Sequence, residues 1–317
     1  MGLPKKEALD RYNTEYQSAF YNGLVASAET FSTWRPWVWQ PTQQEVRETK
    51  IVTGELYSLA HQLFGKGRPL TYTNMAFYEL ALKAQRRGLG FQVDRDEFNE
   101  DRAGLYSNAA FELSSGAMEF QWLYAWNLIC TSLFDGSNGF VGIDGTTLIS
   151  DSHPYRDENG EIKFWTNRAT AKLSRQAWDQ AMEDCEGFRT PQGRTVARPT
   201  GIHLVVGPTN KSVARNMFEA DRVNGGDSNT IEHPTSWSVN RAFRGEHADK
   251  WLIRFTYTDP KVAPLTYRED EAPALRSALD LESVKKNNNA YEWWVEHKWG
   301  IGPGRGEAVY GSDGSES

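Results

Sequence analysis

The sequence has little of what marks secreted, metal-binding or membrane proteins. Its two cysteines, Cys130 and Cys185, are too few for a disulfide framework, which favours a reducing compartment. The six histidines are scattered and lack the H-x-x-x-H and C-x-x-C spacings of metal sites. No stretch approaches the ~20 apolar residues of a membrane span, and residues 1–6 lack the apolar core of a signal peptide. We therefore expect a soluble protein without metal ion, cofactor or membrane partner.

Basic residues are in the minority. The chain has 35 Lys and Arg against 42 Asp and Glu, a net charge of −7, and no basic stripe stands out. A protein that grips nucleic-acid phosphates as its main task needs clustered cations, so this class is disfavoured. Aromatic residues, by contrast, make up 13% of the chain at a mean hydropathy of −0.64, and include 12 Trp. In so polar a chain, large aromatics indicate contacts between layers or between subunits.

The longest candidate helix covers residues 103–134 and is called the spine helix below. It contains no proline, and its apolar residues form two stripes at helical spacing, so it packs on more than one side. One stripe comprises Phe111, Met118, Trp122, Trp126, Ile129 and Leu133, and the other Leu113, Ala117, Phe120, Tyr124 and Leu128. Asp135-Gly136 and Asn138-Gly139 predict its end, because Gly and Asn accept the left-handed backbone of a helix terminus.

Two extended runs before the spine helix predict a long β-hairpin over residues 45–82. Pro36 and Pro41 exclude a central strand at its start, and Gly65 and Gly67 allow a sharp reversal near Lys66. An isolated two-stranded ribbon is marginal in water, so this hairpin must lie against another surface. That surface belongs either to the same chain, as in an ordinary internal hairpin, or to another subunit.

Residues 4–30 predict an amphipathic helix that packs either on the core of its own domain or, as an arm, on a neighbouring subunit. We further predict a strand at 88–98, helices at 174–186 and 214–220, strands at 202–206, 237–243 and 251–257, and a hairpin of 290–297 with 306–310. The charged, proline-containing residues 259–282 predict a surface excursion, and the small polar residues 311–317 a disordered tail.

One loop contains Asp144, Ser150, Asp151 and His153, the residue types of a hydrolase triad. In a triad the His bonds Ser on one side and Asp on the other, and residues so close in one loop rarely converge in that way. A G-x-S-x-G elbow is also missing from the sequence. We therefore assign no catalytic residue, and keep a hydrolase that uses Ser150 and His153 as the alternative from another functional class.

Four sequence pieces follow the spine helix in a characteristic order. They are the D-G-x-x-L-x-S-x-x-H-P loop at 144–154, Asn167, a helix that opens Leu173-Ser174, and the strand Leu204-Val205-Val206 after Pro199. In order and spacing they resemble the major head subunits of Mu-like tailed phages, which belong to the HK97-fold capsid proteins. The resemblance covers about residues 91–311.

This resemblance implies an α+β chain with the HK97-like capsid fold. Its parts would be an N-terminal arm at 1–44, an extended β-hairpin loop at 45–90 that overlaps the next subunit, a peripheral subdomain with the spine helix at 91–198, and an axial subdomain at 199–317 with the C-terminal hairpin. Because the stretch from Met1 to Thr33 is short, we expect no large fused scaffolding segment.

The implied function is structural and not enzymatic. Copies of a major capsid protein would form the hexamers and pentamers of an icosahedral shell around packaged double-stranded DNA, in virions assembled in the host cytoplasm. The expected partners are other copies, portal, scaffold and decoration proteins, and the acidic charge would keep enclosed DNA from adhering to the wall. The alternatives are an HK97-fold nanocompartment that encloses an enzyme, and a decoration or tail-tube protein.

Seven residues are candidates for contacts between subunits. They are Tyr16 and Phe20 in the N-terminal helix, Trp34, Trp37 and Trp39 after it, and Lys66 and Arg68 at the hairpin tip. The aromatics are chosen because interface energy concentrates in few such residues, although they fit a core equally well. A covalent link from Lys50 or Lys66 to one of Asn287–Asn289 of a neighbour is a further hypothesis, which denatured shells that run as one 36 kDa band would exclude.

Overall fold

The computed structural model describes residues 6–42, 46–47, 50–56, 75–94, 106–219, 230–279 and 290–316. Their fold is α+β, as expected, and the chain divides into two compact units. Unit 1 consists of Met1–Pro36, Ala84–Trp126 and Arg268–Gly300, and unit 2 of Trp37–Lys83, Asn127–Tyr267 and Ile301–Ser317. Each unit is built from three separate segments, whereas the domain boundaries expected from the sequence follow the chain in order.

The main helices are α1 Lys6–Phe31, α2 Ser107–Asn127, α3 Arg175–Glu186 and α4 Lys211–Phe218. The strands in the first half of the chain are β1 Val38–Trp39, β2 Val46–Arg47, β3 Lys50–Leu56, β4 Met75–Ala81, β5 Gln85–Asp94, β6 His153–Arg156 and β7 Ile162–Trp165. Those in the second half are β8 Arg168–Ala171, β9 Gly201–Val206, β10 Ser236–Val239, β11 Trp251–Thr256, β12 Leu265–Ala278, β13 Ala290–Pro303 and β14 Val309–Glu316.

Unit 1 packs α1 and α2 with the antiparallel strands β5 and β13, which pair from Asp94 opposite Ala290 to Gln85 opposite Trp299. Its core is aromatic. Tyr16 of α1 lies edge-on to Trp293 with ring centroids 4.9 Å apart, and Phe91 stacks on Trp293 at 5.6 Å. Helix α1 therefore completes the core of its own unit, which is the first of the two alternatives for this segment.

The crossing of α1 and α2 requires a glycine. A Cβ atom on Gly23 would lie 2.0 Å from Ser114 Oγ and 2.7 Å from the carbonyl oxygen of Phe111. One turn later, the hydroxyls of Ser27 and Ser115 bond at 2.9 Å. These small side chains let the two helix backbones approach closely, and so bring the aromatic residues of α1 into the core.

The spine helix is confirmed, with a change of pitch near its end. After α2, residues Leu128–Ser132 form a π-helix, and a last turn covers Leu133–Asp135. Lys250 donates from Nζ to the carbonyl oxygen of Cys130 at 2.7 Å, so a side chain from another part of unit 2 bonds the backbone of this turn. Gly136 ends the helix with φ of 68°, the left-handed conformation that its sequence predicts.

Unit 2 is built around a five-stranded sheet in the order β10-β9-β11-β14-β8. The predicted helix at 174–186 is confirmed as α3, whose N-cap Ser174 accepts from the backbone nitrogen of Ala177 at 3.1 Å. Helix α4 and strands β9 and β11 likewise match their predictions within a few residues. The buried core of this unit includes Trp178, Leu204, Phe218, Trp251 and Tyr310.

Three predictions for the C-terminal part of the chain are wrong. Residues 259–282 contain the long strand β12, with Leu265 and Tyr267 fully buried. Strands β13 and β14 do not pair with each other, since β13 lies between β12 and β5 while β14 lies between β11 and β8. Residues 311–316 belong to β14, where the buried Ser312 donates from its hydroxyl to the carbonyl oxygen of Ala171 at 2.6 Å.

These errors share one physical cause. The partners of β12, β13 and β14 come from distant parts of the chain, so their ladder bonds leave no trace in local composition. Proline is compatible with β12 because β1 pairs only with Leu265 and Thr266. At Pro273 that edge of the strand has no pairing partner among the described residues, and an edge tolerates a missing N–H donor.

Candidate functional site

The loop with the D-G-x-x-L-x-S-x-x-H-P motif lies in unit 2 and folds around buried side chains. Gly145 has φ of 82°, and Asp144 Oδ1 accepts from the backbone nitrogen of Thr146 at 3.1 Å, which closes a tight turn. Leu148 and Ile149 are fully buried, and the backbone nitrogen of Ile149 donates to the carbonyl oxygen of Leu133 at 2.8 Å. The loop is thus fastened to the end of the spine helix.

His153 occupies the centre of this loop and is buried. Its Nδ1 lies 2.5 Å from Asp144 Oδ2 and 3.0 Å from Thr146 Oγ1, and its ring stacks on Trp165 with centroids 4.1 Å apart. Burial by itself would raise the pKa of Asp144. The hydrogen bond to His153 and the electrostatic interaction with its ring, together with the bonds from Thr146, outweigh that effect and hold the pKa of Asp144 below its usual value. The network therefore keeps a partly buried carboxylate ionised.

Asn167 connects this loop to the C-terminal segment. Its Oδ1 accepts from the backbone nitrogen of Ser150 at 2.8 Å and from His153 Nε2 at 3.0 Å. Its Nδ2 lies within hydrogen-bond distance of three carbonyl oxygens, those of Leu148 at 2.7 Å, Gly306 at 2.8 Å and Val309 at 3.0 Å. Because one fully buried amide bonds both segments, it holds the loop and the start of β14 together.

These distances also test the hydrolase alternative. A triad needs the histidine to bond the serine hydroxyl, whereas the two ring nitrogens of His153 bond Asp144 and Asn167. Ser150 Oγ accepts from the backbone nitrogen of Ser152 at 3.2 Å, and Asp151 is exposed. This geometry favours a structural role for the loop.

Strands β2, β3 and β4 form a separate three-stranded sheet in unit 2, called the ribbon below. Lys50 lies opposite Ala81 and Leu56 opposite Met75, which confirms the antiparallel hairpin predicted here. One face of the ribbon is buried, where Ile51, Leu80 and Leu82 pack with Trp39 and Ile143. Tyr78 Oη also accepts from Gln192 Nε2 at 2.7 Å, so the ribbon is tied to its own unit through this face.

The opposite face of the ribbon is exposed and partly apolar. Phe77 is 68% exposed and Met75 is 47% exposed, while Leu80 on the other face is 3% exposed. Lys50 and Glu79 form an ion pair on the exposed side. Large apolar side chains that alternate onto the solvent face of a strand are typical of a surface that contacts another molecule.

Most of the aromatic contact candidates lie inside the chain. Tyr16, Phe20, Trp34 and Trp37 are buried, and only Trp39 is half-buried. Side chains that are already covered by their own chain add little area to a contact with a neighbour. Their burial favours the core, which is the alternative that the sequence left open for these residues.

The basic candidates Lys66 and Arg68 lie outside the described residues, as do Asn287–Asn289 of the cross-linking hypothesis. Lys50, the other lysine of that hypothesis, is exposed on the ribbon beside Glu79. The contact and cross-linking roles of these residues remain predictions.

The cysteines and histidines give no sign of metal or thiol chemistry in the part of the chain that the structure describes. No group of three or more His, Cys, Asp or Glu side chains there is arranged to hold a metal ion. Burial raises the pKa of Cys130 to about 12 and that of Cys185 to about 11, so both thiols are protonated near neutral pH. None of the described helices has the length and apolar character needed to cross a membrane.

The glycine-rich residues 300–306 have a role that the sequence did not reveal. The sequence predicts a turn there, but the structure shows two close approaches of the backbone to other segments. A Cβ atom on Gly304 would lie 2.1 Å from the carbonyl oxygen of Ala263, and one on Gly306 would lie 2.9 Å from His153 Cε1. The glycine at 306 lets this segment approach the ring of His153 closely. Closely spaced glycines indicate such an approach, but they do not identify its partner.

Comparison with known proteins places this geometry in a known fold. No family model and no curated protein matches the chain. A procapsid structure of bacteriophage JBD30 matches at 14% identity and a TM-score of 0.50, over 98% of this chain and 76% of that one. The capsid of cyanophage P-SCSP1u matches at 7% identity and a TM-score of 0.54, over 87% and 86% of the two chains. The capsid of Ralstonia phage GP4 matches at 12% identity and a TM-score of 0.50, over 89% and 88%.

The chain therefore has the HK97-like fold of phage capsid proteins, as the resemblance in its sequence implied. At identities of 7% to 14%, the likeness to these structures shows the fold of the chain and does not by itself show its function.

Proposed function

We propose that this chain is the major capsid protein of a tailed phage, a structural subunit without catalytic activity. Many copies form the hexamers and pentamers of an icosahedral shell that encloses packaged double-stranded DNA. The fold that it shares with chains of phage capsids and a procapsid supports this function. The observation that carries it is the ribbon, which is fixed to its unit through one face and presents Phe77 and Met75 on the other.

The mechanism of assembly follows from this division of the ribbon into two faces. The buried face holds the ribbon in a defined position, and the exposed face is covered by a neighbouring copy. Such a contact uses different surfaces on the two copies, so it repeats head to tail and closes into rings. An overlapping ribbon also buries more area than the edges of compact subunits alone, which strengthens a thin wall.

The charge of the chain suits enclosure of DNA without binding to it. At a net charge of −7, electrostatic repulsion keeps the phosphates from adhering to the wall. Portal, scaffold and decoration proteins are the further partners in this proposal, and the virion, assembled in the host cytoplasm, is its place. The half-buried Trp39 remains a candidate for contacts between copies, as do Lys66 and Arg68, which the sequence predicts near the hairpin tip.

Electron microscopy of the purified recombinant protein, with light scattering in the same buffer, tests this function. Closed particles, or isolated rings of five and six subunits, are the expected result. A uniform 36 kDa monomer, even after co-expression with the other viral assembly genes, would contradict the proposed function. Shells that contain a foreign enzyme and no DNA would identify a nanocompartment instead.

A further inference from the structure

Helix α2 of unit 1 has one exposed stripe along its length. Apart from one adjacent pair, its members follow each other at spacings of three and four residues and therefore lie on one side of the helix. They are Asn108, Glu112, Gly116, Glu119, Phe120 and Leu123, all of them exposed. Leu123 is 53% exposed and Phe120 is 44% exposed. This stripe is called the Gly116 face below.

Among the residues that the structure describes, none explains the glycine at its centre. A Cβ atom on Gly116 would meet no described atom within 4 Å, and the residue has an ordinary helical φ. Every other glycine whose surroundings the structure describes either has a positive φ or would bring a Cβ atom to about 3.0 Å or less from another atom. Glycine in a helix interior is less favourable than alanine, so an unforced glycine points to a contact made with another molecule.

The chain itself shows what such a glycine permits. On the other side of the same helix, Gly23 of α1 lets two helices cross so closely that a Cβ atom would lie 2.0 Å from Ser114 Oγ. An exposed glycine flanked by Phe120 and Leu123 offers an equivalent seat for one more helix with an apolar side.

The charge of α2 indicates a second property of a helix that would bind to this face. Helix α2 contains Glu112 and Glu119 but no Lys or Arg in its 21 residues, and both carboxylates lie on the Gly116 face. The cation that the structure shows against this face is Arg87 of β5, whose guanidinium carbon lies 5.6 Å from the centre of the Phe120 ring. A complementary helix therefore carries basic residues beside its apolar stripe.

Neither α4 nor α1 of a second copy offers such a helix among its described residues. Helix α4 presents Lys211 and Arg215, but its apolar residues Ala214 and Phe218 are buried in the core of unit 2. Helix α1 exposes Tyr21 and Val25, but among its described side chains only one, Arg11, is basic.

We propose that the Gly116 face binds a basic amphipathic helix of a partner protein. Gly116 admits the partner backbone, Phe120 and Leu123 contact its apolar stripe, and Glu112 and Glu119 bond its Lys or Arg side chains. This interaction is separate from the contacts between copies that the proposed function requires.

The test uses the full chain and a synthetic amphipathic peptide of Leu, Ala and Lys, about 20 residues long so that it forms a helix. Fluorescence anisotropy measures its dissociation constant, with a scrambled peptide of the same composition as a control. We expect Gly116→Leu, and separately the pair Glu112→Lys and Glu119→Lys, to weaken binding at least about tenfold. A matched pair on the exposed side of α3, Asp179→Lys and Glu183→Lys, changes the net charge equally and leaves binding unchanged.

Three results would overturn the proposal. The first is equal binding of the scrambled peptide, and the second is an equal loss of binding in the α3 pair, since both indicate attraction by net charge alone. The third is a change in the sedimentation of the chain by itself when Gly116 is replaced, since that would make a second copy the occupant. Circular dichroism confirms that the variants are folded, and microscopy of shells from Gly116→Leu reports on the proposed capsid function independently.

Discussion

His153 donates from Nε2 to Oδ1 of Asn167 across 3.0 Å, and both side chains are buried. The two residues lie 14 positions apart in the chain, in β6 and in the turn before β8. Through this bond the loop around His153 is coupled to the amide that holds the C-terminal segment. The strength of the coupling is measurable by substitution.

Asn167→Ala should destabilise the protein by about 3 kcal/mol or more. The change leaves the donors of His153 and Ser150 and several carbonyl oxygens without partners, and each unpaired buried group costs ~1–3 kcal/mol. Urea unfolding, followed by tryptophan fluorescence under conditions that keep the chain monomeric, measures the loss. Asn216→Ala on the exposed side of α4 is the control, with an expected change within ~0.5 kcal/mol. Equal effects of the two changes would mean that Asn167 is not a structural hub.

The pH dependence of stability should report on Asp144. Its pKa is lower in the folded chain than the ~3.9 of an unfolded one, so the folded state gains stability wherever the unfolded carboxyl is ionised. This stability is fully present above about pH 5 and is lost as the pH falls through the folded pKa. We expect Asp144→Asn to lower the free energy of unfolding at pH 7, and the gap from the wild type to narrow below about pH 4. A gap that widens as the pH falls would contradict the direction of the shift.

Two glycines of unit 1 should respond to alanine in opposite ways. Gly23→Ala forces a Cβ atom toward Ser114 and the backbone of Phe111, and we expect a loss of about 1–3 kcal/mol. Gly116→Ala places its methyl group in open space and gains helix propensity, so we expect a stabilisation of up to about 1 kcal/mol. Thermal unfolding of the monomeric variants gives both values. Destabilisation by Gly116→Ala would show that glycine is required there within the chain itself.

Substitutions on the two faces of the ribbon should separate effects on assembly from effects on folding. Phe77→Ser removes an exposed apolar side chain, so we expect an unchanged melting temperature of the monomer and a loss of closed particles in electron micrographs. Leu80→Ser on the buried face is the matched control, since it should lower the melting temperature by creating a cavity and burying a hydroxyl. Normal shells from Phe77→Ser would remove the ribbon face from the assembly contacts.

The local elements were predictable because their causes are local. The helical periodicity of the spine helix, the Asp135-Gly136 stop and the helix that opens at Leu173-Ser174 depend on residues within a few turns of each other, and all three are present. The packing of the two stripes was predicted less well, since Phe111 and Phe120 are exposed. The hairpin of β3 and β4 was predictable for the same reason, from short extended runs around a glycine-containing turn. The spacing of its residues identified the loop at 144–154 as one motif. It did not predict the hydrogen bonds that hold the loop in place.

The candidate site was less predictable, because exposure is a property of the packed chain. Tyr16 and Trp34 are large aromatics of the kind that anchor interfaces, yet both are buried within the chain. Phe77 is also a large aromatic, but it is exposed because Leu80 and Ile51 occupy the buried face of the ribbon. No local pattern separates these cases.

By itself, the sequence of this protein determined the helices, the hairpin, the motif loop and the resemblance to a capsid fold, since these depend on short-range periodicity and turn chemistry. Long-range pairing alone determined that Leu265–Ala278 is a strand, that the polar residues 311–316 are ordered and that Asn167 joins two segments. The physical reason is that hydrogen-bond ladders and buried amides are satisfied by partners far along the chain, which exist only once the chain has folded.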